Sequence, residues 1–268
     1  MPEVSEYAFG LVLGVLIILL FCLQTLEPHQ PNIVQQPSPP PSPPLTPHDP
    51  NLPIEPYDEK TIINSITVIY ELLLDLKYLE RDEIIFPPPS GHVINLDICQ
   101  TLNLDQRVVS LMQQLPYPKD VQTSLDFDLI DETRSPVYTD DDDIEECRDP
   151  ENAGTPEDIR LDYLLPTDVA LTIGKRYGTN LVLDTKENTI RSVECQDGPP
   201  FHESMERPDE QSHYRNYPAE PALEVLRRYA HKYRSLASIP RRYGYPLSRW
   251  DRKKVRSFLK LSFLFPFF

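Results

Sequence analysis

The chain has 268 residues, with 26 Lys/Arg against 42 Asp/Glu for a formal net charge of −16, and it carries 30 prolines, eight glycines and four cysteines. So little glycine excludes a collagen-like repeat, so few cysteines exclude a disulfide scaffold, and the proline excess argues against one compact domain from end to end. The charge is also split: residues 227–268 hold twelve Lys/Arg and one acid, Asp251, about +11, which leaves the first 226 residues near −27 and disfavours nucleic acid as a partner, because most of the surface would repel phosphates.

Residues 7–26, YAFGLVLGVLIILLFCLQTL, contain no charged side chain. Twenty residues at helical rise span roughly 30 Å, the thickness of a bilayer's hydrocarbon core. A cleaved signal peptide needs a basic lead and a small-x-small exit. Here the first six residues carry Glu3 and Glu6 without Lys or Arg, and the exit reads Cys22-Leu23-Gln24-Thr25-Leu26-Glu27. The run is therefore read as a retained single-pass transmembrane anchor, with a signal peptide or a buried helix as the alternatives. Gly10 and Gly14 form a G-x-x-x-G pattern that lets two membrane helices approach closely, a candidate homodimer contact. The short acidic head, the absence of any Asn-x-Ser/Thr site, and the pattern-free spacing of Cys99, Cys147 and Cys195 lean towards a cytosolic bulk with reduced thiols.

Residues 27–58 form a linker whose positions 28–56 include twelve prolines. Proline removes backbone donors and favours the polyproline II helix, so the stretch is expected to be disordered or extended, reaching up to roughly 90 Å. No Lys or Arg stands near Pro41–Pro44 to orient an SH3-type partner, so a plain spacer is the better reading.

Order is expected from Glu59. Ile62, Ile66, Ile69, Tyr70, Leu73 and Leu76 recur at steps of three and four, predicting a helix to about Arg81. Phe86-Pro87-Pro88-Pro89-Ser90-Gly91 breaks the chain, and a second helix is predicted over 104–115, capped by Asn103 with Gln106 as its capping-box partner. Residues 119–163 read as an acidic, solvated loop. Asp140–Asp143 lack the alternation and central glycine of a calcium-binding loop. The runs 169–173, 180–183 and 189–193 are β-branched and separated by turn residues, which predicts an antiparallel meander. Pro221, placed as the first helical residue, then opens an amphipathic helix bearing Ala222, Leu226, Tyr229, Ala230 and Tyr233. The fold class expected for residues 59–240 is α+β, a small meander packed by amphipathic helices.

Motifs that carry chemistry are mostly absent from the sequence. No dinucleotide or phosphate-loop glycine pattern is present; Gly174 and Gly178 lie between strands and read as a tight turn. No Gly-x-Ser-x-Gly elbow occurs, and His202-Glu203-Ser204-Met205-Glu206 lacks the second histidine of a zinc helix. His92 and Cys99 are the residues from which a hydrolase site would be built, against the plainer reading of a loop histidine and a buried thiol. No catalytic residue, metal ligand or cofactor is assigned.

The stretch Val169–Gly174, Gly178–Thr185 and Asn188–Arg191 resembles the strand core of the SUKH (Smi-type) superfamily, with residues 219–236 as its closing helix. The runs Tyr214–Ala222, Arg234–Leu236 and Ile239–Pro240 are also similar to segments of filamentous-fungal proteins of uncharacterised role. The SUKH resemblance implies a non-catalytic α+β module used for protein interaction or immunity. The family's early Leu-Pro-x-x-Tyr segment is not recognisable near Phe86–Gly91.

Residues 241–268 end the chain as a basic, Phe-rich tail. Trp250, Arg252, Lys253, Lys254, Arg256 and Lys260 precede an apolar end and are the candidate contacts with an anionic membrane surface. The alternatives are docking on the chain's own acids and a tail without a selected role. The organisation expected is a membrane anchor, a spacer, an interaction domain for a protein partner that the sequence does not specify, and a surface-binding tail.

Overall fold

The computed structural model describes residues 55–130, 132–152, 159–175, 178–194, 198–199 and 211–237. The expected span at 7–26, most of the linker and the tail lie outside them. Among the described residues no helix is long and apolar enough to cross a membrane.

Helix α1 (Glu59–Asp75) opens on Asp58, whose carboxylate accepts from the Lys60 amide at 3.2 Å and from the Thr61 hydroxyl. It buries Ile62, Ile66, Ile69, Tyr70, Leu72 and Leu73. The helix stops short of Arg81. Lys77 takes φ +56, its amide bonds Leu74 O, and the Tyr78 amide bonds Leu73 O. This is a Schellman closure with lysine where glycine is usual, and Tyr78 tucks in behind it. The apolar spacing continues past the stop because Tyr78 and Leu79 belong to the buried core, Tyr78 meeting the Phe127 ring edge-on.

A helical turn (Arg81–Glu83) leads into β1 (Ile84–Ile85), which pairs antiparallel with β2 (Tyr117–Pro118). Between them lie α2 (Leu96–Thr101), which no sequence pattern announces, and α3 (Gln106–Gln114). Asn95 caps α2 and Asp105 caps α3, its carboxylate accepting from the Arg107 amide at 2.8 Å. Asn103, expected as the cap of the second helix, closes the first instead. It sits at φ +52, its amide bonds Gln100 O, and the Leu104 amide bonds Cys99 O. Asparagine serves both roles because it tolerates the left-handed region.

The segment expected as a solvated loop, 119–163, is structured where described. It contains α4 (Val121–Asp126), β3 (Thr133–Arg134) and α5 (Asp141–Glu146). Asp120 and Asp140 are spent as N-caps, and Asp143 is buried.

The meander is present with one addition. Strands β4 (Asp168–Ala170), β6 (Thr179–Asp184), β7 (Thr189–Glu194) and β8 (Ala219–Pro221) form an antiparallel sheet in that order. Residues expected to continue the first strand leave it: β5 (Ile173–Gly174) pairs with β3. Gly178 closes the turn after β5, its amide donating to Lys175 O at 3.3 Å. A side chain there has no room, because a Cβ would lie 2.1 Å from the Glu132 carbonyl oxygen. Pro221 ends β8 and stands at the N-cap of α6 (Ala222–Arg234), one position earlier than expected. Helix α6 packs along α1, and the Tyr233 hydroxyl donates to Leu129 O. Helices and antiparallel sheets share one continuous apolar core, so the described region is α+β.

Candidate functional site

The sheet register sorts its residues by face. Val169, Leu183 and Ile190 are cross-strand neighbours on one side; Asp168, Asp184 and Thr189 are neighbours on the other, with Arg191 following in β7. Alternation of this kind usually turns the polar set to water. Here the polar set is covered, Asp168 being 0 % and Asp184 2 % exposed. The cover is a helical turn, His213–Asn216, which lies against β7.

Asp168 and Asp184 stand directly opposite across β4 and β6. Like charges in that position repel, so a bridging cation is required. Arg215 supplies it: one guanidinium nitrogen, Nη1, donates to Asp168 Oδ2 and Asp184 Oδ2 at 3.0 Å each. Its other terminal nitrogen lies 3.6 Å from Glu187, and Arg191 stands 4.0 Å from Asp184. The Tyr214 hydroxyl donates to Asp168 at 2.6 Å and accepts from the Leu165 amide at 3.1 Å. Thr167 donates to the other Asp168 oxygen, while Asp184 Oδ1 gathers the Lys186 and Glu187 amides and so shapes the β6–β7 turn. Arg148, also buried, donates to the carbonyls of Leu164, Leu165 and Asp168.

Burial sets the electrostatics. It pushes the Asp168 carboxyl above its ordinary range, and Asp184 adds to the rise. Burial likewise lowers Arg148 and Arg191, the latter also through Arg215. Arg215 goes the other way: burial pulls it down, but Asp168, Tyr214 and Asp184 together hold it above the usual guanidinium value. The difference is geometric, since Arg215 bonds both carboxylates and Arg191 reaches one only at the edge of contact. The arrangement is a closed ion cluster that fastens residues 211–217 and the 163–168 segment to the sheet.

A second buried pair serves α5. Arg134 makes two bonds to Asp143, at 2.9 and 2.8 Å, and Asp143 also accepts from the Val137 amide at 2.7 Å. The Asp140–Glu146 run is therefore a capped helix with its innermost carboxylate occupied by protein donors. Among the described residues no three His, Cys, Asp or Glu side chains gather as a metal-binding group.

His92 and Cys99 are not joined by a hydrogen bond. His92 Nε2 bonds Leu115 O at 2.9 Å, and its ring lies 5.1 Å from that of Tyr117. A carbonyl only accepts, so Nε2 carries the proton, and burial lowers the ring's pKa. The Cys99 thiol is raised by burial, with Asp141 acting in the same direction. The residues that the sequence nominates for helix pairing, Gly10 and Gly14, lie outside the described residues. So do those nominated for membrane contact: Trp250, Arg252, Lys253, Lys254, Arg256 and Lys260. The buried cluster has almost no counterpart in the sequence pattern. Asp168, Asp184, Arg191 and Arg215 are spread along the chain, and only Asp184, at the end of an apolar strand before a turn, carries a local signal.

No family model matches this chain, and neither the curated proteins nor the solved structures contain a match to it.

Proposed function

We propose that this chain is a single-pass, membrane-tethered protein whose α+β domain is a protein-interaction module and performs no catalysis. The observation that carries the tether is the charge-free run at 7–26 followed by a proline spacer. The assignment of interaction over catalysis rests on how the polar groups are used. Asp168, Asp184, Asp143, Arg134 and Arg148 are bonded to one another or to backbone, which suits a scaffold presenting a surface. The hydrolase alternative needs His92 and Cys99 in concert, and His92 is instead bonded to the Leu115 carbonyl. The kinship proposed here with the SUKH superfamily, whose modules of this kind bind proteins, rests on the resemblance of residues 169–191 to its strand core.

Fractionation tests the tether. The full chain is expected to stay with membranes through an alkaline wash, and deleting residues 1–26 is expected to release it. Retention after that deletion would move the anchor to the tail and overturn this assignment. Pairing through Gly10 and Gly14 belongs to the same reading. Replacing both with isoleucine is expected to abolish cross-linked dimers without releasing the chain from the membrane.

A further inference from the structure

The outward side of α6 breaks with the charge of the domain that carries it. Arg227, His231 and Arg234 are exposed at steps of four and three, and therefore form one line along the helix. Lys232 lies beside them over the Tyr229 ring, at 4.8 Å. Arg228 is neutralised by two 2.8 Å bonds to Glu220. Among the described residues neither Arg227 nor Arg234 has an ion-pair partner. The helix dipole accounts for cations in the last turn, but Arg227 stands two turns from the end, beyond its reach. Beyond this helix the sequence continues into 241–260, where eight more Lys/Arg stand against Asp251 alone.

We infer that this face of α6 is an electrostatic docking surface for anionic lipid headgroups; the inference rests on the membrane-tethered reading above. Opposite charge brings the face to the bilayer while the acidic remainder of the domain is repelled from it, so the two act together to orient the domain. The two exposed arginines need no pocket, because headgroups are mobile and diffuse to them. Its continuity in sequence with the Trp250-containing basic segment favours a lipid surface over an acidic protein, since an aromatic and Phe-rich end suits the headgroup boundary.

Arginine modification reads this directly in the unaltered full-length protein. The chain is incorporated in vesicles of phosphatidylcholine, with or without phosphatidylserine, and treated with phenylglyoxal. Arg227 and Arg234 are then followed by mass spectrometry, with exposed Arg107 as the internal reference. Phosphatidylserine is expected to slow modification of Arg227 and Arg234 about fivefold, the factor one cation near an anionic surface is worth, and raised salt is expected to restore the rate. Equal rates in both vesicles would overturn the proposal. Protection by soluble polyglutamate and not by phosphatidylserine would also overturn it, assigning the face to an acidic protein. Failure of the tether is separable, since it is read by alkaline release of the chain, which does not depend on the two arginines.

Discussion

Arg215 bonds both Asp168 and Asp184, so its removal leaves two carboxylates facing each other in a dry site. Breaking a buried pair by deleting one partner costs about 3 kcal/mol, and Arg215→Ala is expected to lose that much at neutral pH. The loss carries a pH signature. A carboxyl raised in the folded state is destabilising when ionised; the penalty is absent below the unfolded value, near pH 4, and grows as pH rises through the folded value. Asp168 is already raised by burial, and losing Arg215 lifts it further. The variant should therefore approach wild type as pH falls and diverge as pH rises, in urea midpoints taken from pH 4.5 to 8. A deficit of equal size at every pH would show that Arg215 acts by packing alone. Asn103 and Asp105 allow a second comparison. Asp105→Ala should cost about 1 kcal/mol as a lost cap, whereas Asn103→Gly should be close to neutral because the residue sits at φ +52. The reverse ranking would restore Asn103 as the cap.

Elements with strong periodicity are legible in the sequence, and those held by distant partners are not. Helix α1 and the apolar face of α6 follow directly from residues at three- and four-residue steps, and β6 and β7 from their β-branched runs. The acidic 140–146 run reads as solvated because its organising cation, Arg134, is a single residue nine positions from Asp143 with no pattern around it. Strand β8 is hidden by Pro221, and α2 by its length of six residues. Reading Gly174 and Gly178 as turn residues captures half of their role. The other half is the close approach of Gly178 to Glu132, which lets β3 reach β5. Gly178→Ala is accordingly expected to separate these strands at a cost of about 3 kcal/mol, a fall of roughly 10 °C in the thermal midpoint. An unchanged midpoint would mean that the contact yields without loss.

At the scale of the whole molecule, the candidate site is not legible in the sequence, because it is assembled from 148, 163–168, 184–191 and 214–215 by the fold alone. The charge segregation is legible, since counting needs no coordinates, and α6 adds to it a helix on which part of the positive charge is ordered. Thiol chemistry offers a global readout. Cys99 and Cys147 are free and buried, and burial raises both thiols. In the native protein they are expected to resist thiol reagents, and to react at the rate of domain opening once denaturant is added. Rapid labelling of either cysteine under native conditions would contradict this packing.

The pairing of α1 with α6 bears on how the chain is made. These helices open and close the domain, and Asn188 reaches back to the carbonyls of Glu55 and Pro56. A ribosome adding roughly 5–20 residues per second needs about seven to thirty seconds to travel from the end of α1 to α6. Throughout that interval the apolar stripe of α1 has emerged without the helix that covers it. Nascent chains should therefore remain sensitive to protease and bound by chaperones until residues near 234 clear the exit tunnel, and then become resistant in a single late step.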